Sequence, residues 1–286
     1  MSKRKQDKEG DSDSDSDSVS FVDVSFDFFD PNPKIDYHAI KRLLTQLFNR
    51  DAERFDLASL TDLILSQPTV GTTIKTDGLE SDPYALLTVL NMHVHQAHPA
   101  IAALAEYFFE KSAQADPAFN TTLAALFRGQ DTQVGLVLCE RLVNMPVQTV
   151  PPMYRMLSDE VKWALADSEP YAFTHLLFVS RAYHLSLDEE EALANRAPAG
   201  KSSKKAKKQK GSQPPTQTRP DDGIYFFHPE DACIQEHATH AISYPFSTSP
   251  EPREADSFGL DVRGRLMLVD ASRWEALVAK MGEVYV

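Results

Sequence analysis

The stretch VGTTIKTDGLESDPYALLTVLNM, Val70 to Met92, holds two runs rich in β-branched and apolar residues, VGTTIKTD (Val70 to Asp77) and YALLTVLNM (Tyr84 to Met92). The residues between them, with Gly78 and Pro83, are turn formers, so the stretch predicts a β-hairpin. What flanks the hairpin decides the fold class. Upstream, Ile40, Leu43, Leu44, Leu47 and Phe48 recur at helical spacing with Asp36 as the expected N-cap, and Leu57, Leu60 and Ile64 mark a second short helix. Downstream, Pro99 opens an amphipathic helix through Ile101, Leu104, Ala105, Phe108 and Phe109, and Phe119 to Phe127 predicts another.

Further on, QVGLVLCE (Gln133 to Glu140) is a nearly continuous apolar run, as expected of a strand covered on both faces. Pro151 to Leu165 reads as a Pro-initiated helix and Tyr171 to Tyr183 as a strand. IYFFHPED, AISYPF and GRLMLVD are strand-like, and Ala271 to Met281 is a helix expected to end at Gly282. Strands alternating with helices around an antiparallel hairpin predict an α/β protein with a mixed sheet and helices on both faces.

Two segments stand outside this pattern. Residues 1–18 are polar and lack aromatics, with alternating Asp and Ser from Asp11 to Ser18, and predict a disordered acidic tail. The tract runs into Val22, Val24, Phe26 and Phe28, which alternate with polar residues as a half-buried strand does. Residues 186–220 are rich in Lys, Pro, Gly, Ser and Gln and read as a disordered inserted loop. The expected organisation is a single domain made of residues 19–185 and 221–286.

The 286 residues are 42% hydrophobic, enough to bury a core. Net charge is −13, and removing the eight cations of 196–219 leaves −21 on the rest. A field of that sign repels nucleic-acid phosphates and anionic lipids and steers cationic partners inward. The expected partner is therefore a basic protein, with no direct nucleic-acid binding and no membrane insertion. Two cysteines, Cys139 and Cys233, cannot form a disulfide framework, which suits a reducing compartment. No apolar run approaches the roughly 18 residues of a membrane span, so the expectation is a soluble, non-secreted chain.

Catalytic motifs are missing. The cluster His93, His95 and His98 is the most enzyme-like: a strand would put His93 and His95 on one face, but no nearby Cys, Asp or Glu completes a ligand set, and no metal is assigned. There is no G-x-S-x-G elbow, no P-loop and no pair of glycines spaced i, i+2. No catalytic residue and no cofactor are assigned. Lys201, Lys204, Lys205, Lys207, Lys208 and Lys210 form a dense Lys cluster of the nuclear-import type. Ser12, Ser14, Ser16 and Ser18, beside Asp residues, suit an acid-directed kinase, each phosphate adding about −1.5 to −2 charges.

Several uncommon strings then occur together and in order: VSFDFFDPNPKIDYHAIKRLLTQLF, LTDLILSQPTVGTTIKTDG, VGLVLCERLVNMPVQTVPPMY, YFFHPEDACIQEHA and GRLMLV. With these the chain resembles the BCCIP family of eukaryotic nuclear proteins, which includes fungal proteins of the Bcp type. The resemblance runs from Val24 to Val269. It implies a fold related to the GNAT acetyltransferases and a non-enzymatic role, that of a nuclear chaperone for one basic protein of the large ribosomal subunit, the universal L-fourteen type. It also implies support of ribosome biogenesis, shuttling between nucleus and cytoplasm with nuclear transport factors, and nuclear export of a phosphoinositide kinase. GNAT enzymes hold the pyrophosphate of acetyl-CoA on a [RQ]-x-x-G-x-[GA] turn, and no glycine here is followed at i+2 by Gly or Ala. An acyltransferase with a degenerate site is thus the alternative, and a DNA-repair or cell-cycle adaptor a third reading. The candidate partner-binding residues are Asp77, Asp82 and Tyr84 at the hairpin turn and His228, Glu230 and Asp231 in FHPED.

Overall fold

The hairpin forms where it was read: β2 (Thr72–Lys75) pairs antiparallel with β3 (Ala85–Asn91), Ile74 opposite Ala85. Gly78 adopts φ +81° in the turn, a left-handed conformation that glycine takes without a Cβ penalty. The computed structural model describes residues 24–196, 220–247 and 260–285. The acidic tail with Ser12, Ser14, Ser16 and Ser18, and the Lys cluster from Lys201 to Lys210, lie outside the described residues.

Around the hairpin the order is β1 (Asp27–Phe29), α1 (Tyr37–Phe48) and α2 (Leu57–Leu65), then α3 (Pro99–Ala115), α4 (Pro117–Arg128) and β4 (Val134–Arg141). Next come α5 (Val150–Ala166), β5 (His175–His184), α6 (Leu187–Arg196), β6 (Ile224–Phe226) and α7 (Asp231–His237). The described chain closes with β7 (Ala238–Pro245), β8 (Asp261–Asp270) and α8 (Trp274–Val284). The strands form one sheet in the order β1-β2-β3-β4-β5-β8-β7, with β6 beside β5. Pairing is antiparallel except between β4 and β5, which are parallel because α5 carries the chain back between them.

Both faces are covered, as the patterning predicts. Leu177 and Val179 of β5 point to a core formed with α1 to α4, whereas Leu176 and Phe178 point to a second core under α5, α7 and α8. The register fixes one end of the sheet. Asp27 lies opposite Lys75 and Ala85 opposite Arg141, and β5 runs parallel to β4. The start of β1, the turn 76–84, the loop after β4 and the end of β5 therefore gather there.

Several expectations change. Of the strand expected over Val22, Val24, Phe26 and Phe28, the described residues hold strand only from Asp27 to Phe29, where β1 pairs with β2, and residues 24–26 have no strand partner. Asp36 stands at the N-cap position of α1 but makes no capping bond. Its buried carboxylate instead takes Lys75 Nζ at 2.6 Å and the Asn32 N–H at 2.8 Å, because an unpaired buried ammonium would cost more than a lost cap. The loop expected from 186 begins as helix α6, started by a capping box in which Ser186 N donates to Glu189 at 2.8 Å and Glu189 N donates back to Ser186 Oγ at 3.3 Å. IYFFHPED is a strand only to Phe226; the turn at His228 and Pro229 then leads into α7. Helix α8 passes through Gly282, since Leu277, Val278 and Met281 bury its face and outweigh the roughly 1 kcal/mol cost of one glycine.

Candidate functional site

Strands β4 and β5 pair from Val134 to Leu138 and from His175 to Val179, then part. The space that opens is taken by β6, which pairs with the last residues of β5, and by the FHPED segment behind it. Six titratable side chains meet there, Glu140, Arg141, Arg181, His228, Glu230 and Asp231, all buried. Arg141 grips Glu230 with two guanidinium nitrogens, Nη2 to Oε2 at 2.9 Å and Nη1 to Oε1. Arg181 does the same to Glu140, Nε to Oε2 at 3.1 Å and Nη2 to Oε1 at 2.9 Å. Glu140 Oε1 also accepts from His228 Nε2 at 3.0 Å and from Gln46 Nε2, on α1, at 2.7 Å. Ser180 Oγ donates to Asp231.

These partners set the protonation states. Burial alone would raise the Glu140 carboxyl, but the hydrogen bond and charge of His228, with the charge of Arg181, hold it at about 2. Burial alone would lower the His228 imidazole, but its bond to the Glu140 carboxylate leaves it raised. Asp231 is pushed up to about 6 by burial. Burial also pushes the Cys139 thiol well above its ordinary range, so it is a poor nucleophile. A void of about 10 Å³ remains among Cys139, Tyr154, Ser180 and His228, which is no more than the room for a water. This cluster wedges the parted strands together and leaves no room for a ligand.

His228, Glu230 and Asp231 are thus brought together, but with exposures of 3%, 1% and 3% they do not face a partner. Their role is to hold the sheet end. Charged residues in a polar string read as surface; pairing with Arg141 and Glu140, on a strand nearly ninety residues earlier in the chain, is a tertiary fact.

The hairpin candidates fall differently. Asp77 and Tyr84 line an open groove of about 640 Å³, bounded on one side by residues 24–26 and on the other by residues 144–146. Val24, Phe26, Tyr84, Met145 and Pro146 supply its apolar surface and Asp77 its charge. Backbone bonds fix Tyr84: its N–H donates to Ile74 O at 2.8 Å and its carbonyl accepts from Leu142 N at 3.0 Å. Lys75 braces the turn by donating to Leu79 O at 2.7 Å. Asp82 lies outside the groove, in an exposed pair with Arg42 at 3.3 Å. The alternation had put Val24 and Phe26 in a strand, and residues 144–146 lay in a family string, but neither segment was read as part of a binding surface, because nothing local marks two segments that meet in space. Val24, Leu79 and Val143 are exposed apolar side chains on these same segments.

The histidine cluster is not a strand face. β3 stops at Asn91, whose buried side chain accepts from His93 N and Val94 N and turns the chain. His93 accepts from Val134 N at Nδ1 and bonds Leu126 O through Nε2, which occupies both ring nitrogens. Among the described residues no group of three or more His, Cys, Asp or Glu could hold a metal, and no helix is long and apolar enough to cross a membrane.

Comparison with known proteins agrees with this architecture. The BCCIP family model matches residues 21–234. A relative called "Protein bcp1" from Emericella nidulans is 39% identical, over 99% of this chain and 98% of its own length. "Protein bcp1" of Schizosaccharomyces pombe is also 39% identical, over 93% of this chain and 92% of its own. The crystal structure of BCP1 from Saccharomyces cerevisiae superposes with a TM-score of 0.62 at 26% identity, covering 94% of this chain and 92% of that one. With a family model over most of the chain and relatives that match nearly end to end, this chain belongs to the BCCIP family.

Proposed function

We propose that this protein is a non-enzymatic escort for a basic protein of the large ribosomal subunit, the universal L-fourteen type, supporting ribosome biogenesis. The observation that carries the reading is charge: outside one Lys-rich stretch the chain bears −21. A newly made ribosomal protein exposes cationic surface meant for RNA, and an acidic surface shields it and speeds its capture. Membership of the BCCIP family supports the same reading, since the family resemblance implies this client.

On this reading the fold is of the GNAT-related type, a mixed sheet in which two parallel strands part at one end. Two features favour it over an acyltransferase. The gap between β4 and β5 is filled by charged side chains. Helix α5, which follows β4, starts with Val150, Pro151 and Pro152, and prolines offer no N–H to a pyrophosphate. The Lys201 to Lys210 cluster would serve nuclear import, and the chain would shuttle between nucleus and cytoplasm with transport factors, a phosphoinositide kinase being a second cargo. The test is recovery of the tagged chain from nuclear extract at moderate salt, with mass spectrometry of what accompanies it. One ribosomal protein in near-equal amount, free of other ribosomal components, is expected; a mixture of basic proteins, or none, overturns the reading.

A further inference from the structure

We propose that the groove between residues 24–26, the hairpin turn and residues 144–146 is the docking site for an extended, Lys- or Arg-bearing segment of the basic client; this rests on the escort reading above. Of the groove's apolar members, Phe26, Tyr84 and Met145 come from three separate chain segments and pack against the second core, with Tyr84 fixed further by backbone bonds, so the surface exists before anything binds. Its polar members, Ser25, Thr76, Asp77 and Asn144, are exposed or half-exposed rather than buried and convergent. Convergent buried polar groups are what fix a small molecule; an apolar floor with a charged lip suits a peptide whose alternate side chains point in and out.

Charge selects the occupant. Asp77 is the charged member of the lining, and Asp27 and Glu80 are exposed close by in sequence. The cations on neighbouring positions are already engaged, Lys75 with Asp36 at 2.6 Å and Arg42 with Asp82 at 3.3 Å. In the sequence, the Asp11 to Asp17 tract precedes Val24, at the groove wall, by a short stretch of residues. A cationic segment gains a carboxylate at the lip and an aromatic face at Tyr84 for its aliphatic stem or its charge. A second copy of this chain, carrying the same −13, would be repelled.

The experiment places a photo-reactive benzoylphenylalanine at position 84 of the full chain, with exposed Trp163, on the distal half of α5, as the control position. The chain is irradiated with a purified mixture of large-subunit ribosomal proteins, and retention of the same mixture by the unmodified chain and by Asp77→Lys is measured. A crosslink from position 84, not 163, to a Lys- or Arg-rich segment of the L-fourteen-type protein is expected, with affinity for Asp77→Lys weaker by about tenfold. The same crosslink to another basic protein keeps the groove and removes the escort reading. Retention of the L-fourteen-type protein with position 84 silent and Asp77→Lys unaffected overturns the groove and keeps the reading. Crosslinking only to this chain's own Lys201 to Lys210 stretch overturns the groove, and neither crosslink nor retention overturns both.

Discussion

At Gly264 on β8 the absence of a side chain is a packing requirement. A Cβ there would meet Cε2 and Cζ of Tyr244, the residue opposite on β7, at 2.4 Å. Tyr244 is 2% exposed and packs edge-on against Tyr107 at 5.8 Å between centroids, so its ring has nowhere to move. Gly264→Ala is expected to cost about 1–3 kcal/mol through this overpacking, read as a lower urea midpoint at unchanged slope. An unchanged midpoint would mean that the ring swings out freely. Asp231 carries a pH-dependent cost. Its carboxyl is raised by burial from 3.8 to about 6, so between those values the folded chain binds the proton that the unfolded chain has lost. From this group alone, stability falls as pH rises from about 4 to about 6. Asp231→Asn keeps an acceptor for Ser180 and removes the titration, so its stability relative to the parent should climb across that window in urea melts; a flat difference would refute the assignment. The burial of Asp231 was not legible in the string FHPED, where it read as a surface contact, because solvation depends on neighbours in space and not in sequence.

Between elements, the tie that holds the hairpin to α1 is the ion pair of Lys75 and Asp36, both side chains fully buried. Removing one partner strands the other charge, so Lys75→Met is expected to cost about 3–5 kcal/mol. Replacing both, as Lys75→Met with Asp36→Leu, should recover most of that loss, since apolar residues of similar volume often substitute for a buried pair. Urea denaturation of the two singles and the double measures the coupling; additive effects would show that the pair contributes nothing beyond its separate parts. The sequence placed Asp36 at the start of a helix and Lys75 in a strand, and both placements hold. What it left hidden was their contact across 39 residues, and with it the use of the carboxylate as a counter-ion in place of a cap. Helix α6 is the opposite case: the Ser186 and Glu189 capping box was present in SLDE, but the Lys-rich composition that follows masked it.

For the whole molecule, the uneven charge distribution predicts a kinetic signature. If the acidic body steers its client, the association rate with the L-fourteen-type protein should drop about tenfold or more as salt rises from 0.01 to 0.15 M, because the Debye length shrinks from about 30 to about 8 Å. Stopped-flow measurement of that rate decides it, and a salt-independent rate would leave an apolar interface without steering. The order and kind of most elements, the two-faced sheet and the family were all determined by the sequence itself, because periodicity, turn residues and characteristic strings are local properties of the chain. Only the tertiary structure decided which charges are buried and which face solvent. Glu140 meets Arg181 from 41 residues away and His228 from 88, and the groove joins three segments that no local pattern links. The energy of a charge is set by what surrounds it within a few ångströms, and in a folded chain those neighbours come from anywhere in the sequence.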